Sequence, residues 1–358
     1  MEKGELSQLA EELERQAKTK EDYIRYSNEL SVLKEGNTIK MELPVLRDNT
    51  STKKTFPITE YCHKQIAEKT KIPLRYYQRM KEEGQLDLLC DNIMTWLPDK
   101  EKRFVRLLDT ERDGITRVRA MLSDRYRVID NYDVLLNAMK TFREISNNIM
   151  VKTAKLTETK LYIKATSKEL VDEIHKINGR DIVEGGVTIS NSEVGAGAYK
   201  VVPFMWVERC KNGLMGDEGF TKIHLGKERG VGLLDWSEET LKLEDKALWS
   251  KIEDIIRATF NPEIFRSWVD KINGVSTIKL EEPTIAFNNI IKSEKIPDNK
   301  RDELLMHFGN EEPTLWGLSN AVTRLAQDMP NYEEQIEFEE KGRKILEMKP
   351  EKICRPVA

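Results

Sequence analysis

At Arg103 the spacing of apolar residues changes period. Between Pro57 and Gly84, PITEYCHKQIAEKTKIPLRYYQRMKEEG repeats its apolar residues every three or four positions, whereas RFVRLLD and TRVRAMLSDRYRV alternate them with polar ones around ERDG. The first period is that of a helix and the second that of a strand, so a chain holding both in separate blocks is neither all-helical nor all-β. Gly114 tolerates the positive φ of a tight turn, and the two alternating runs are read as a β-hairpin.

The remaining segments follow the same rules. Leu6, Leu9 and Leu13, then Tyr23, Tyr26, Leu30 and Leu33, recur at helical spacing, so residues 1–33 are expected to form one or two amphipathic helices. Ile39, Met41 and Leu43 alternate in a short strand. Thr59 is placed to cap a helix and Pro73 to open the next. Asp130 or Asn131 caps a helix from Tyr132 to about Ile145, buried along Val134, Leu135, Ala138, Met139 and Phe142. NIMVKTAKLTETKLYIKATS gives a second hairpin, KELVDEIHKIN a helix, and GGVTISNSEVGAGAYKVVPFMWV two strands about a glycine-rich turn. The fold class expected is α+β: a central antiparallel sheet of hairpins braced by helices, with a helical N-terminal arm and a mainly helical C-terminal region. The divisions fall at 1–56 (helical arm and short strand), 57–98 (helical hairpin), 99–235 (central α+β domain) and 236–358 (helical region).

Composition narrows the function classes. The chain has 358 residues and a formal net charge of -4, which argues against a protein coated in nucleic acid. Between Lys100 and Arg127, however, nine basic residues face five acidic ones. No run approaches the roughly eighteen apolar residues of a membrane span, and the start has no signal-peptide core, so a cytoplasmic protein without membrane association is expected. Cys62, Cys90, Cys210 and Cys354 are dispersed, so neither a disulfide framework nor a zinc knuckle is indicated.

Arginines on alternate positions of a twisted hairpin form a strip of fixed cations that the phosphates of an extended single strand could follow, with Tyr126, Tyr132 and Tyr199 as stacking surfaces. The competing reading is a polar outer sheet face, with Arg117 and Arg119 paired to Glu101, Asp109 or Glu111. RYYQRM, at the end of two short helices, allows a helix-turn-helix, against a helical hairpin packed through Ile66, Ala67, Ile72, Leu74 and Tyr77. Asp124 and Asp130 are not read as a metal-binding pair: one lies in the strand or its approach and the other at a helix N-terminus, where capping and the macrodipole explain a carboxylate. Cys210 with His224 lacks the third group that nucleophilic or zinc chemistry needs. No phosphate loop, G-x-S-x-G or H-E-x-x-H is present, and neither an enzyme nor a cofactor nor a metal is expected.

Four segments, SDRYRVIDNYDVL, ISNSEVGAGAYKV, WVERCKNGLM with KIHLG, and TLWGLSNAVTRLAQD, resemble in that order the phage- and plasmid-borne proteins of domain-of-unknown-function family nine-three-two, over about residues 60–330. The matching positions are Ser123, Asp124, Arg125, Tyr126, Arg127 and Asp130, then Asn191, Ser192 and Gly195, then Arg209, Cys210, Asn212, Gly213 and His224, and last Trp316, Asn320, Ala321 and Thr323. Glu208-Arg209 before the cysteine and Arg324-Leu325 after the threonine depart from the family's usual form. The resemblance implies a protein of mobile elements, in the company of recombination and anti-restriction genes. The hairpin-plus-helix arrangement is also similar to the core of phage single-strand annealing proteins.

Together these readings lead to an expected non-catalytic, oligomeric protein that engages single-stranded DNA in recombination or replication through Arg106, Arg117, Arg119, Arg125, Tyr126, Arg127 and Arg209. The alternative is an interaction module whose partner is a host protein, such as a defence enzyme that it inhibits. A cryptic enzyme using Arg209, Cys210 and His224 is the third reading.

Overall fold

The computed structural model describes residues 3–47, 50–97, 100–209, 212–216, 222–223, 230–231, 234–235 and 237–355. It is an α+β fold of antiparallel sheets with a helical C-terminal region, as the periodicities require. In chain order the elements are α1 (Lys3–Thr19), β1 (Glu21–Tyr26), β2 (Ser31–Glu35), β3 (Thr38–Arg47), β4 (Thr50–Pro57), α2 (Glu60–Thr70), α3 (Leu74–Glu82), α4 (Leu86–Trp96), β5 (Lys102–Leu108) and β6 (Arg117–Ser123). There follow α5 (Asn131–Ile145), β7 (Ile149–Leu156), β8 (Leu161–Lys176), β9 (Gly179–Asn191), β10 (Tyr199–Val207) and β11 (Asn212–Met215). After the short pairings β12 (Lys222–Ile223), β13 (Gly230–Val231) and β14 (Leu234–Asp235) come α6 (Glu238–Thr259), α7 (Pro262–Ser276), α8 (Pro283–Ser293), α9 (Arg301–Gly309), α10 (Leu315–Ala326), α11 (Tyr332–Leu346) and α12 (Pro350–Ile353).

Among the described residues three large cores organise these elements. In the first, β2-β3-β4 turn Ile39, Met41, Leu43 and Val45 onto α2–α4, and Val105, Leu107, Val118 and Met121 of the β5-β6 hairpin enter the same core. In the second, the sheet β11-β10-β9-β8-β7 packs against α1, α5, α6 and α7. The third lies among α8–α12. It is joined to the large sheet by Lys164 of β8, whose Nζ lies 2.6 and 2.7 Å from the carboxylate oxygens of Glu339 on α11. Trp316 Nε1 adds a 2.9 Å bond to Asp181 of β9.

Several expectations are corrected. Residues 21–26 form β1 rather than helix, because Tyr23 and Ile24 pair along the free edge of β5, from Glu21 opposite Leu107 to Tyr26 opposite Lys102. Helix α1 is not a peripheral arm: Leu13 is buried in the core of the large sheet. KELVDEIHKIN is strand, the continuation of β8, since pairing with β9 holds it through Lys176 opposite Gly179. This is tertiary pairing overriding a helical pattern. Residues 57–98 hold three helices rather than two, α4 being the addition.

Candidate nucleic-acid interface

The β5-β6 hairpin forms where the alternation places it, yet its arginines do not make a solvent-facing strip. Arg106 pairs with Ala120 and Leu107 with Val118, which leaves Arg119 as the extra residue of a β-bulge. A bulge re-aims the side chains around it. Val118, expected to share a face with Ala120, instead enters the core with α2–α4, while Ala120 joins Phe104, Leu122 and Val194 on the opposite face. Both faces of the hairpin are covered. Arg106 and Arg119 are therefore interior.

Arg106 is 1% exposed and Arg119 is 4% exposed. Arg106 donates from Nε and Nη2 to the two carboxylate oxygens of Asp22 at 2.8 and 2.7 Å, and its guanidinium lies 3.1 Å from Asp130 and 3.6 Å from Glu193. Arg119 donates to Glu193 at 2.8 Å and to Gln16 at 3.2 Å. Burial lowers the Arg119 pKa, opposed by the Glu193 charge. At Arg106 burial acts the same way but is outweighed by Asp22, Glu193 and Asp130, and the pKa rises. Glu193 also accepts from the Asn131 N–H at 2.6 Å, so it caps α5 where Asp130 or Asn131 was expected to do so. Asp130 instead pairs with Lys20 and Arg106.

The other expected residues are also engaged. Arg117 holds Asp113 at 2.6 Å and Glu111 at 3.1 Å within the hairpin loop, and keeps the Asp113 carboxyl far below its ordinary range. Residues 125–128 do not prolong β6, which ends at Ser123. Arg127 reaches Asp245 of α6 at 2.7 Å. The Tyr126 hydroxyl donates to the Ser192 carbonyl and its ring tilts against Phe104, so it is no stacking platform; burial pushes its pKa up to about 12. Tyr199 is fully buried and Tyr132 packs against the core of the large sheet. Arg209 bonds Asp181 at 2.9 Å and Glu311 at 2.5 and 2.7 Å. Of the seven, Arg125 alone is exposed with no ion-pair partner among the described residues. Cys210 and His224 lie outside the described residues.

The motif residues meet in pairs. Ser192 takes the Tyr126 hydroxyl, Asn191 bonds the Ile129 carbonyl and the Asn131 side chain at 2.9 Å each, and a Cβ on Gly195 (φ +75°) would sit 2.6 Å from Leu122. Likewise Asn212 donates to Thr323 at 2.6 Å. These positions hold distant segments together, and that accounts for them without a ligand.

A different surface combines exposed aromatic rings with cations. Helix α2 ends with Lys71 in the left-handed region (φ 57°), where the Ile72 N–H returns to the Ala67 carbonyl at 3.0 Å; a non-glycine residue thus makes the corner. Pro73 opens α3, which buries Tyr77 and Met80. Tyr76, about 100° round the helix from Tyr77, must then face outward. Helix α4 buries Leu86, Leu89, Cys90 and Ile93 and presents Trp96 at its end. Trp96 is 62% exposed and Tyr76 43%. Both line a cleft of about 560 Å³ with Lys69, Lys71, Ile72 and Asn92. Lys71 is exposed, as is the adjoining Arg75, and neither has an ion-pair partner among the described residues. The aromatic and basic RYYQRM was the signal in the sequence; the contribution of Trp96 was not, because its exposure depends on how α4 docks.

No family model, curated protein or solved structure matches the chain.

Proposed function

We propose that this protein binds single-stranded nucleic acid through the cleft between the α2–α3 corner and the end of α4. The supporting observation is the pair of exposed rings, Trp96 and Tyr76, in one cleft with Lys69 and Lys71. Unpaired bases stack on such rings at about 1–3 kcal/mol each, and lysines track the phosphates whatever the sequence. The chain's negative charge is compatible with this mode, which needs a local cationic surface rather than a basic protein. The role is non-catalytic, in the recombination or replication of a phage or plasmid, where the family resemblance would put it.

Fluorescence anisotropy with labelled single- and double-stranded oligonucleotides at two salt concentrations tests the reading. Salt-sensitive binding that prefers single strands and is lost in Trp96→Ala supports it. Equal binding by wild type and Trp96→Ala, or none, removes it.

A second reading has its own observation. Leu88 and Met94 of α4 are exposed as well as Trp96, and exposed apolar side chains suit a protein partner, here a host protein, better than a polyanion. Titration of Leu88→Glu separates the two: nucleic-acid binding should survive that change, while protein association should not.

A further inference from the structure

We propose that Glu303, His307 and Asp328 bind one divalent transition-metal ion, zinc above all. Helix α9 carries Glu303 and His307 four residues apart, a spacing that puts both side chains on one face. Helix α10 packs against α9, and Asp328 arrives just beyond its end. His307 Nε2 lies 3.1 Å from Asp328 Oδ2, and one ligand atom from each of the three residues falls within 4.8 Å of the others. Tetrahedral zinc, with bonds of about 2.0–2.2 Å, spaces its ligand atoms about 3.3–3.6 Å apart. Rotation of the partly exposed Glu303 and Asp328 carboxylates closes the difference.

The donor set selects the metal. An imidazole nitrogen beside two carboxylates disfavours calcium and magnesium, which take oxygen ligands, and among common divalent ions suits zinc, with cobalt and manganese weaker. Three protein ligands leave a fourth position open. His307 also lines a cleft of about 380 Å³ with Arg209, Asn310, Glu311, Asn320 and Arg324, which leaves space for a water or small ligand beside its ring. The competing contact is Lys300, 2.8 Å from Glu303. Such partly exposed ion pairs contribute roughly 0–1 kcal/mol, so a metal ion displaces the lysine readily. Among the described residues no other such group of ligands occurs.

The test is titration of the chelator-treated full chain with zinc chloride by calorimetry, and with cobalt(II) by visible absorption. One ion per chain is expected, with affinity reduced by more than roughly tenfold in His307→Ala and in Asp328→Asn. Lys300→Ala should bind more tightly than wild type by freeing Glu303, a gain that a folding defect cannot imitate. The proposal is overturned if wild type binds nothing at roughly 100 µM metal ion. It is equally overturned if His307→Ala and Asp328→Asn bind as wild type does.

Discussion

Arg119 Nη1 lies 2.8 Å from Glu193 Oε2 in the interior of the protein, and neither side chain is more than 7% exposed. An arginine so placed cannot meet a phosphate without unfolding its surroundings. Removing one partner of a buried pair leaves the other charge unmatched, at a cost of roughly 3–5 kcal/mol. We therefore expect Arg119→Ala to lower the denaturation midpoint sharply, and Glu193→Ala to do so too, with a further loss at the start of α5. Exposed Arg125→Ala should stay within about 0.5 kcal/mol of wild type. Urea unfolding of the three variants checks the order; an Arg119→Ala protein as stable as Arg125→Ala would mean that the hairpin is not packed on both faces.

For the cleft the expected pattern is the reverse. Trp96→Ala and Tyr76→Ala remove exposed rings and should leave stability within about 0.5 kcal/mol, while each weakens single-strand binding by roughly 1–3 kcal/mol, about five- to more than a hundredfold. Lys71→Ala should weaken binding less and flatten its salt dependence by roughly one phosphate contact. Anisotropy titrations over a salt series read both quantities. Loss of folding rather than affinity in Trp96→Ala would assign the indole to packing.

His63 gives the pH response a sign. It is buried, its Nδ1 lies 2.8 Å from the Tyr77 hydroxyl, and desolvation lowers its pKa from 6.5 to about 4. The unfolded chain takes up a proton near pH 6.5, whereas the folded chain resists until about pH 4. This contribution to stability is present in full above pH 6.5 and is lost as pH falls through that window. Between neutrality and about pH 5 it amounts to about 2 kcal/mol. Denaturant titrations should show His63→Gln losing less stability than wild type over the same interval; identical slopes would mean that the imidazole is solvated.

Legibility from sequence ended where neighbours decide the outcome. The hairpin at 102–123 and the helix at 131–145 were readable because period and turn residues are local properties. The fate of the arginines was not, since binary alternation carries no mark of the bulge at Arg119 and supposes that one face of the sheet meets water. The charges that engage Arg106 and Arg119 come from Asp22, Asp130 and Glu193, none of them in the hairpin, whereas Arg117 pairs with Glu111 and Asp113 of its own loop, as a polar sheet face allows. KELVDEIHKIN failed similarly, its helical spacing overruled by a partner strand that begins only after the Ile177-Asn178 turn.

That strand pair supplies a last expectation. A Cβ on Gly186 of β9 would lie 1.9 Å from the Ala165 carbonyl oxygen and 2.6 Å from the Thr166 Cα, both backbone atoms of β8. No rotamer relieves such an overlap, so the strands must separate beside the register shift that lies between Thr166 and Val171. Gly186→Ala should therefore cost more than the usual roughly 1–3 kcal/mol of an overpacked core. By contrast, Gly274→Ala meets nothing within 4 Å inside α7 and should gain about 0.5–1 kcal/mol from helix propensity. Thermal unfolding of the two variants provides the comparison. If both tolerate alanine equally, β8 and β9 are not in the close register that carries the Glu193 loop to the hairpin.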